Sequence, residues 1–153
     1  MATPASLNPR IVEALYCEAL VLSDEVRGAF DLSGRIESTG LAESAARIAL
    51  SCEALRTTTR MMHAIAWLLN HRAYFAGELS EFQLRRRGRL ADFPVADAER
   101  IGLLQPETRE LVGATERFYA RLLRLDRGWR ERDSELPSAL AQLRGRLGAV
   151  SPH

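Results

Sequence analysis

The histidines, cysteines and arginines of this chain could do chemistry, and their spacing decides whether they do. His63 and His71 stand eight residues apart, about 12 Å along a helix axis, too far to share one metal ion. No carboxylate accompanies them at ligand spacing. Ser51 and Cys52 have no base nearby in sequence and no nucleophile elbow around them. Neither a P-loop nor a dinucleotide fingerprint is present. Cys17 and Cys52 lack the spacing of a zinc site or a redox pair, and read as small core residues of a reduced protein. The expectation is a protein that is not an enzyme and holds no cofactor.

Arg85, Arg86, Arg87 and Arg89 put four guanidinium groups into five residues. Such a cluster can neutralise phosphates and release their counterions. Against that use, no aromatics interleave for base stacking, no recognition helix follows, and the net charge is only +1. A solvated loop or a docking patch for an acidic protein surface fits better, with nucleic acid as the rival partner.

A third set falls in one stripe at helical spacing: Glu53, Arg56, Arg60, His63, Trp67, His71 and Tyr74. Arg60 and His63 lie seven and four residues before Trp67, within reach of its ring, and Arg over an indole face is favourable. Arg and Trp are also the types most enriched at binding hot spots. Arg56, Arg60, His63, Trp67, His71 and Tyr74 are therefore candidates for partner binding, together with the four arginines at 85–89. Read as packing instead, Trp67 lies under a neighbouring helix and Glu53 with Arg56 forms an ordinary ion pair.

The elements that must position these groups are helices. Leu41, Ala45, Ile48, Cys52, Leu55, Thr59, Met62, Ala66, Leu69 and Ala73 step by four and three without a break. That heptad marks one face of a helix over 40–75, roughly 50 Å long. One edge is large and the other small, so a second backbone can approach closely. Before it, a helix over 9–33 has Asn8 as N-cap and Pro9 at its first position. After it, Ser80 and Gln83 form a capping-box pattern within a short helix and connector over 79–101. A third long helix is expected over 105–127, closed near Gly128, with residues 129–153 a mobile or partly helical tail and 1–8 a flexible arm. The expected fold is all-α: a single-domain antiparallel three-helix bundle with one very long central helix.

That central helix carries apolar residues on a second face as well. Leu50, Ala54, Met61, Ile65, Leu68 and Phe75 lie within about 80° of arc, away from the heptad stripe. With the heptad facing the bundle, this second face is the expected interface of a homodimer, isologous as most soluble oligomers are. Covering by helices 1 and 3 on opposite sides, or by residues 79–101, is the other way to bury it.

Composition sets the compartment. The 153 residues are 46% hydrophobic and 27% charged, ordinary globular values. All 21 basic residues are arginine, as a GC-rich bacterial genome favours. The start lacks the order of a secretion signal, and no apolar run reaches 18 residues. A cytoplasmic protein without a membrane partner is expected.

The run Cys52-Glu53-Ala54-Leu55-Arg56-Thr57-Thr58-Thr59-Arg60-Met61-Met62, then Ala66-Trp67-Leu68-Leu69, Arg72-Ala73 and Gly77-Glu78-Leu79, resembles the signature of the alphaproteobacterial family of regulators of CtrA degradation (RcdA). Arg121-Leu122 and Arg124-Leu125-Asp126 resemble that family's last long helix. The resemblance implies a dimerising three-helix bundle and a non-enzymatic adaptor. Its partners would be the ClpXP protease, a response-regulator-like protein, and a protein substrate such as a cell-cycle transcription regulator.

Overall fold

The computed structural model describes residues 7–33 and 41–149, with only the backbone at 32–33, 41–43 and 133–139. Among the described residues the chain is all-helical. Helix α1 spans Pro9–Ser33, α2 Leu41–Phe75, α3 Glu81–Arg87, α4 Ala98–Gly102 and α5 Pro106–Gly148.

Local chemistry sets most of these boundaries. The Asn8 side chain accepts from the Ile11 N–H at 3.0 Å, satisfying an otherwise orphaned donor of α1. At the end of α2, Gly77 adopts φ +80°, and the Glu78 N–H turns back to the Ala73 carbonyl at 2.9 Å. Ser80 and Gln83 form a complete capping box at the start of α3. Helix α3 ends at Gly88, where a Cβ would stand 2.5 Å from the Leu84 carbonyl oxygen. Pro106 opens α5 at a position that needs no N–H donor.

Helices α1, α2 and α5 pack against one another around one core. α1 contributes Val12, Leu15 and Ala19, α2 Met61, Ala64, Trp67 and Leu68, and α5 Phe118, Tyr119 and Leu122. α1 and α2 run antiparallel: Glu13 meets Arg72 at 2.9 Å near one end, and Phe30 shares a groove with Ala54 and Leu55 near the other. α2 and α5 run in the same direction, since Arg60 pairs with Thr115 and Trp67 with Asp126. The antiparallel order expected from the sequence does not hold for that pair. The long return over residues 76–105, anchored by buried Leu84, Leu90 and Leu104, carries the chain back before α5 begins.

The third long helix also runs some twenty residues past the expected stop at Gly128. Contacts on both sides of that glycine carry it through. Asp126 accepts from Trp67 and Arg130, and the Trp129 ring meets His71 edge-on at 5.5 Å. From 140 to 149 every side chain is exposed. Of the arm expected over 1–8, residues 1–6 lie outside the described part, as do the residues after 149.

Removing buried methyl groups from this core should cost far more than removing exposed ones. Leu68→Ala and Leu122→Ala are each expected to lower unfolding free energy by about 2–5 kcal/mol in urea titrations. Leu143→Ala, at a site 54% exposed, should stay within about 0.5 kcal/mol of the parent. A Leu143 cost equal to the others would mean that the far end of α5 is packed.

Candidate functional site

The stripe considered for partner binding is for the most part the inner face of α2. Arg60 is 2% exposed, Trp67 2%, and His71 and Glu53 0%. These residues face α5 and the connector, not solvent. Arg60 donates to the Thr115 hydroxyl at 3.0 Å, and its guanidinium lies 5.5 Å from the Phe93 ring centroid instead of over Trp67. Burial holds its pKa below the usual arginine value, with the Glu116 charge opposing that shift.

Trp67 donates from Nε1 to Asp126 at 3.0 Å. The same carboxylate accepts from the Leu90 N–H at 3.4 Å and from Arg130 Nε at 3.2 Å. His71 stacks obliquely on Trp67 at 4.2 Å and meets Trp129 edge-on, and neither ring nitrogen has a hydrogen-bond partner. Glu53 has Arg56 Nε at 3.7 Å and Arg100 at 4.0 Å, and Arg56 also donates to the Pro94 carbonyl at 2.7 Å. Tyr119, whose hydroxyl donates to the Ala91 carbonyl, is pushed up to about 12 by burial and the nearby Asp92 charge. This buried polar layer ties α2, the connector and α5 together.

Of the remaining candidates, His63 is exposed beside Phe93, and Tyr74 is half-buried against Phe75. Arg85, Arg86, Arg87 and Arg89 are all exposed. Arg85 approaches the Trp129 ring at 5.8 Å and Arg86 the Phe82 ring at 5.9 Å. Aromatic faces therefore lie beside this cluster, supplied by residues that the local sequence run does not contain.

The two apolar faces of α2 exchange the roles expected of them. Met61 and Leu68 are buried, and Leu50, Ala54, Ile65 and Phe75 are half-buried within the single chain. The face read as a dimer surface is thus largely core. The heptad stripe, read as core, is bare: Ile48 is 65% exposed, Leu55 71%, Met62 66% and Leu69 44%. Its small edge follows, with Ala45 and Ala66 exposed and Cys52, Thr59 and Ala73 intermediate. The cause is the polar layer: Arg60 and Trp67 reach their hydrogen-bond partners Thr115 and Asp126 only by facing α5, and Glu53 on the same stripe then faces Arg100 of α4.

Asp126, Thr115 and Phe93 were not among the sequence candidates, though all three hold this layer. Asp126 carried a signal: it sits four residues after Leu122, on the face of its helix that packs inward.

The chain matches, over residues 3–150, the model of a family described as protein of unknown function (DUF1465). It belongs to that family. No curated protein and no solved structure matches the chain. Among the described residues, no helix is long and apolar enough to cross a membrane.

His71 gives the buried layer a pH dependence. Desolvation lowers its pKa to about 4 from 6.5, the Asp126 charge opposing and Arg130 reinforcing that shift. The unfolded chain binds this proton more tightly. The stabilising effect is complete above about pH 6.5 and is lost as pH falls toward 4. The wild type should lose up to about 3 kcal/mol across that window, and His71→Gln should flatten this part of the profile. Equal slopes for both proteins in urea titrations between pH 4 and 6.5 would contradict the burial of a neutral ring.

Proposed function

We propose that the chain is a non-enzymatic, cytoplasmic adaptor that binds other proteins. Its task resembles that of the regulators of CtrA degradation: helping ClpXP receive a cell-cycle transcription regulator. The observation that carries this reading is the amount of apolar surface that two long helices leave uncovered. On α2 it is the heptad stripe. On α5 it is Leu140, Leu143 and Leu147, exposed by 56, 54 and 71% at helical spacing. Exposed apolar stripes of this extent mark interaction surfaces, and an amphipathic helix docks by laying such a stripe into a groove.

The resemblance of residues 52–79 to the signature of those regulators supports the same reading. The exposed arginines at 85, 86, 87 and 89 add a surface suited to acidic protein partners. An adaptor of this kind acts by effective concentration, holding a substrate near the protease without new chemistry.

Capture by purified ClpXP in the presence of substrate and a response-regulator-like partner tests the proposal. The wild type should be retained, Leu143→Asp with Leu147→Asp or Arg86→Ala with Arg87→Ala should lose retention at least tenfold, and His63→Ala should not. No capture in any nucleotide state would rule the adaptor reading out. The rival, a nucleic-acid-associated regulator using Arg85–Arg89, demands binding to nonspecific DNA that falls steeply with salt. The proposal expects no such slope.

A further inference from the structure

Between α1 and the first turns of α5 the surface carries one sign of charge. Two cavities of about 500 and 420 Å³ lie there and share Glu25 and Ala114. They form one trough that follows α1 from Cys17 to Ala29, about 18 Å. We propose that this trough docks a basic amphipathic helix of a partner protein, apolar along its seat and carrying Lys or Arg on both flanks. The proposal rests on the reading of the chain as a protein-binding scaffold, and adds a surface that the reading does not use.

Charge is the first observation. Glu18 and Glu25 stand on the α1 wall, Glu107 and Glu110 on the α5 wall, and no basic residue lines either cavity. In a chain with 21 arginines against 20 acidic residues, that is a local departure. Arg121 reaches Glu18 at 2.5 Å and Arg117 reaches Glu110 at 3.1 Å from outside the lining. Glu25 and Glu107 have no ion pair among the described residues. Each wall thus offers one carboxylate to an incoming cation, so the occupant must be basic on both sides.

The second observation is the seat between those acids. It is apolar, made by Val21, Leu22, Ala29, Leu111 and Ala114, and Val21 is 61% exposed. Ala29 and Ala114 are small, so the two helices leave room between them. Thr108 also lines the trough at 6% exposure, and its hydroxyl has no hydrogen-bond partner among the described residues. A polar side chain of the occupant would satisfy it. The third observation is periodicity. Glu18, Leu22, Glu25 and Ala29 step by four, three and four, and Glu107, Leu111 and Ala114 by four and three. Walls built from helical rows accept the ridge of another helix. About twelve residues of helix fill 18 Å, enough for anchors at the spacing that helix-in-groove docking uses.

The energetics divide between seat and walls. Exposed ion pairs contribute little each, so affinity comes from the apolar anchors, while the carboxylates steer the helix in and select its charge. The trough is also separate from the arginines at 85–89. Arg85 meets Trp129, fifteen residues beyond Ala114 and about 22 Å further along α5. One copy of the chain thus presents a surface for an acidic partner and another for a basic one, as a scaffold that holds two proteins together requires.

Fluorescence anisotropy with the full chain tests this. The probe is a labelled, helix-forming peptide of roughly 14 residues, with leucines at helical spacing and lysines on both flanks. It should bind, and more weakly as salt rises. A peptide of the same composition in scrambled order, without the apolar stripe, should bind at least about tenfold more weakly. A version with glutamate for every lysine should not bind. Glu25→Gln with Glu107→Gln should weaken the probe about fivefold, and Ala114→Leu, which fills the seat, should weaken it as much at unchanged helicity. Arg86→Ala with Arg87→Ala should leave it unchanged. Equal binding of ordered and scrambled peptides, or indifference to both groove variants, would overturn the proposal. So would tighter binding by Leu143→Asp with Leu147→Asp. The chain's own stripe of Leu140, Leu143 and Leu147 beside Arg144 and Arg146 would then be the occupant. Capture by ClpXP is a separate readout: peptide binding without capture sinks the adaptor reading alone, and capture without peptide binding sinks the groove alone.

Discussion

The buried carboxylate of Asp126 is the constraint on which the structure turns. At 4% exposure it would be costly unless satisfied, and its donors come from three parts of the chain. Trp67 reaches it from α2, the Leu90 N–H from the connector, and Arg130 from one turn further along α5. That single acceptor fixes the register of α5 against α2. It also pins the point where the returning connector passes between them. Arg60 on Thr115 makes a second such contact, about two turns earlier on α2 and three on α5, and together the two contacts make the helices run in the same direction.

This interior is mixed rather than oily. Glu53, Thr57, Arg60, His71, Thr108 and Thr115 are buried alongside Leu68 and Leu122. Within that layer Arg60 with Thr115 and Trp67 with Asp126 specify one alignment, because sliding either helix by a turn would break both hydrogen bonds. The consequence reaches the far side of α2. With its polar stripe turned inward, its longest apolar stripe faces outward, and the molecule keeps a hydrophobic surface that a single copy does not cover.

Much of the fold was legible because it is local. Asn8, Ser80 with Gln83, Gly77 and Pro106 each mark a helix end through backbone chemistry that needs no tertiary partner, and the helical periods of α1 and α2 are unbroken. The direction of α5 was not legible, since only contacts between residues far apart in sequence decide it. The continuation past Gly128 had the same origin: Trp129 and Arg130 hold the helix by touching His71 and Asp126. The faces of α2 were misassigned for a physical reason. An apolar heptad says that something packs there, but not whether the cover comes from the same chain. The stripe of Glu53, Arg60, Trp67 and His71 was noticed, yet its partners Asp126, Thr115 and Phe93 lie some thirty to sixty residues away. The uncovered stripes are what supports the proposed protein-binding reading, while the interior polar groups serve the architecture.

A double-mutant cycle on Trp67 and Asp126 tests this account most directly. Trp67→Phe, Asp126→Asn and the double variant would be compared by urea unfolding at neutral pH. If the indole and the carboxylate meet in the interior, the two changes should couple by about 1–3 kcal/mol. Additivity within about 0.5 kcal/mol would contradict it, because α2 and α5 would then not be registered through that contact and nothing would oblige the heptad stripe to face outward.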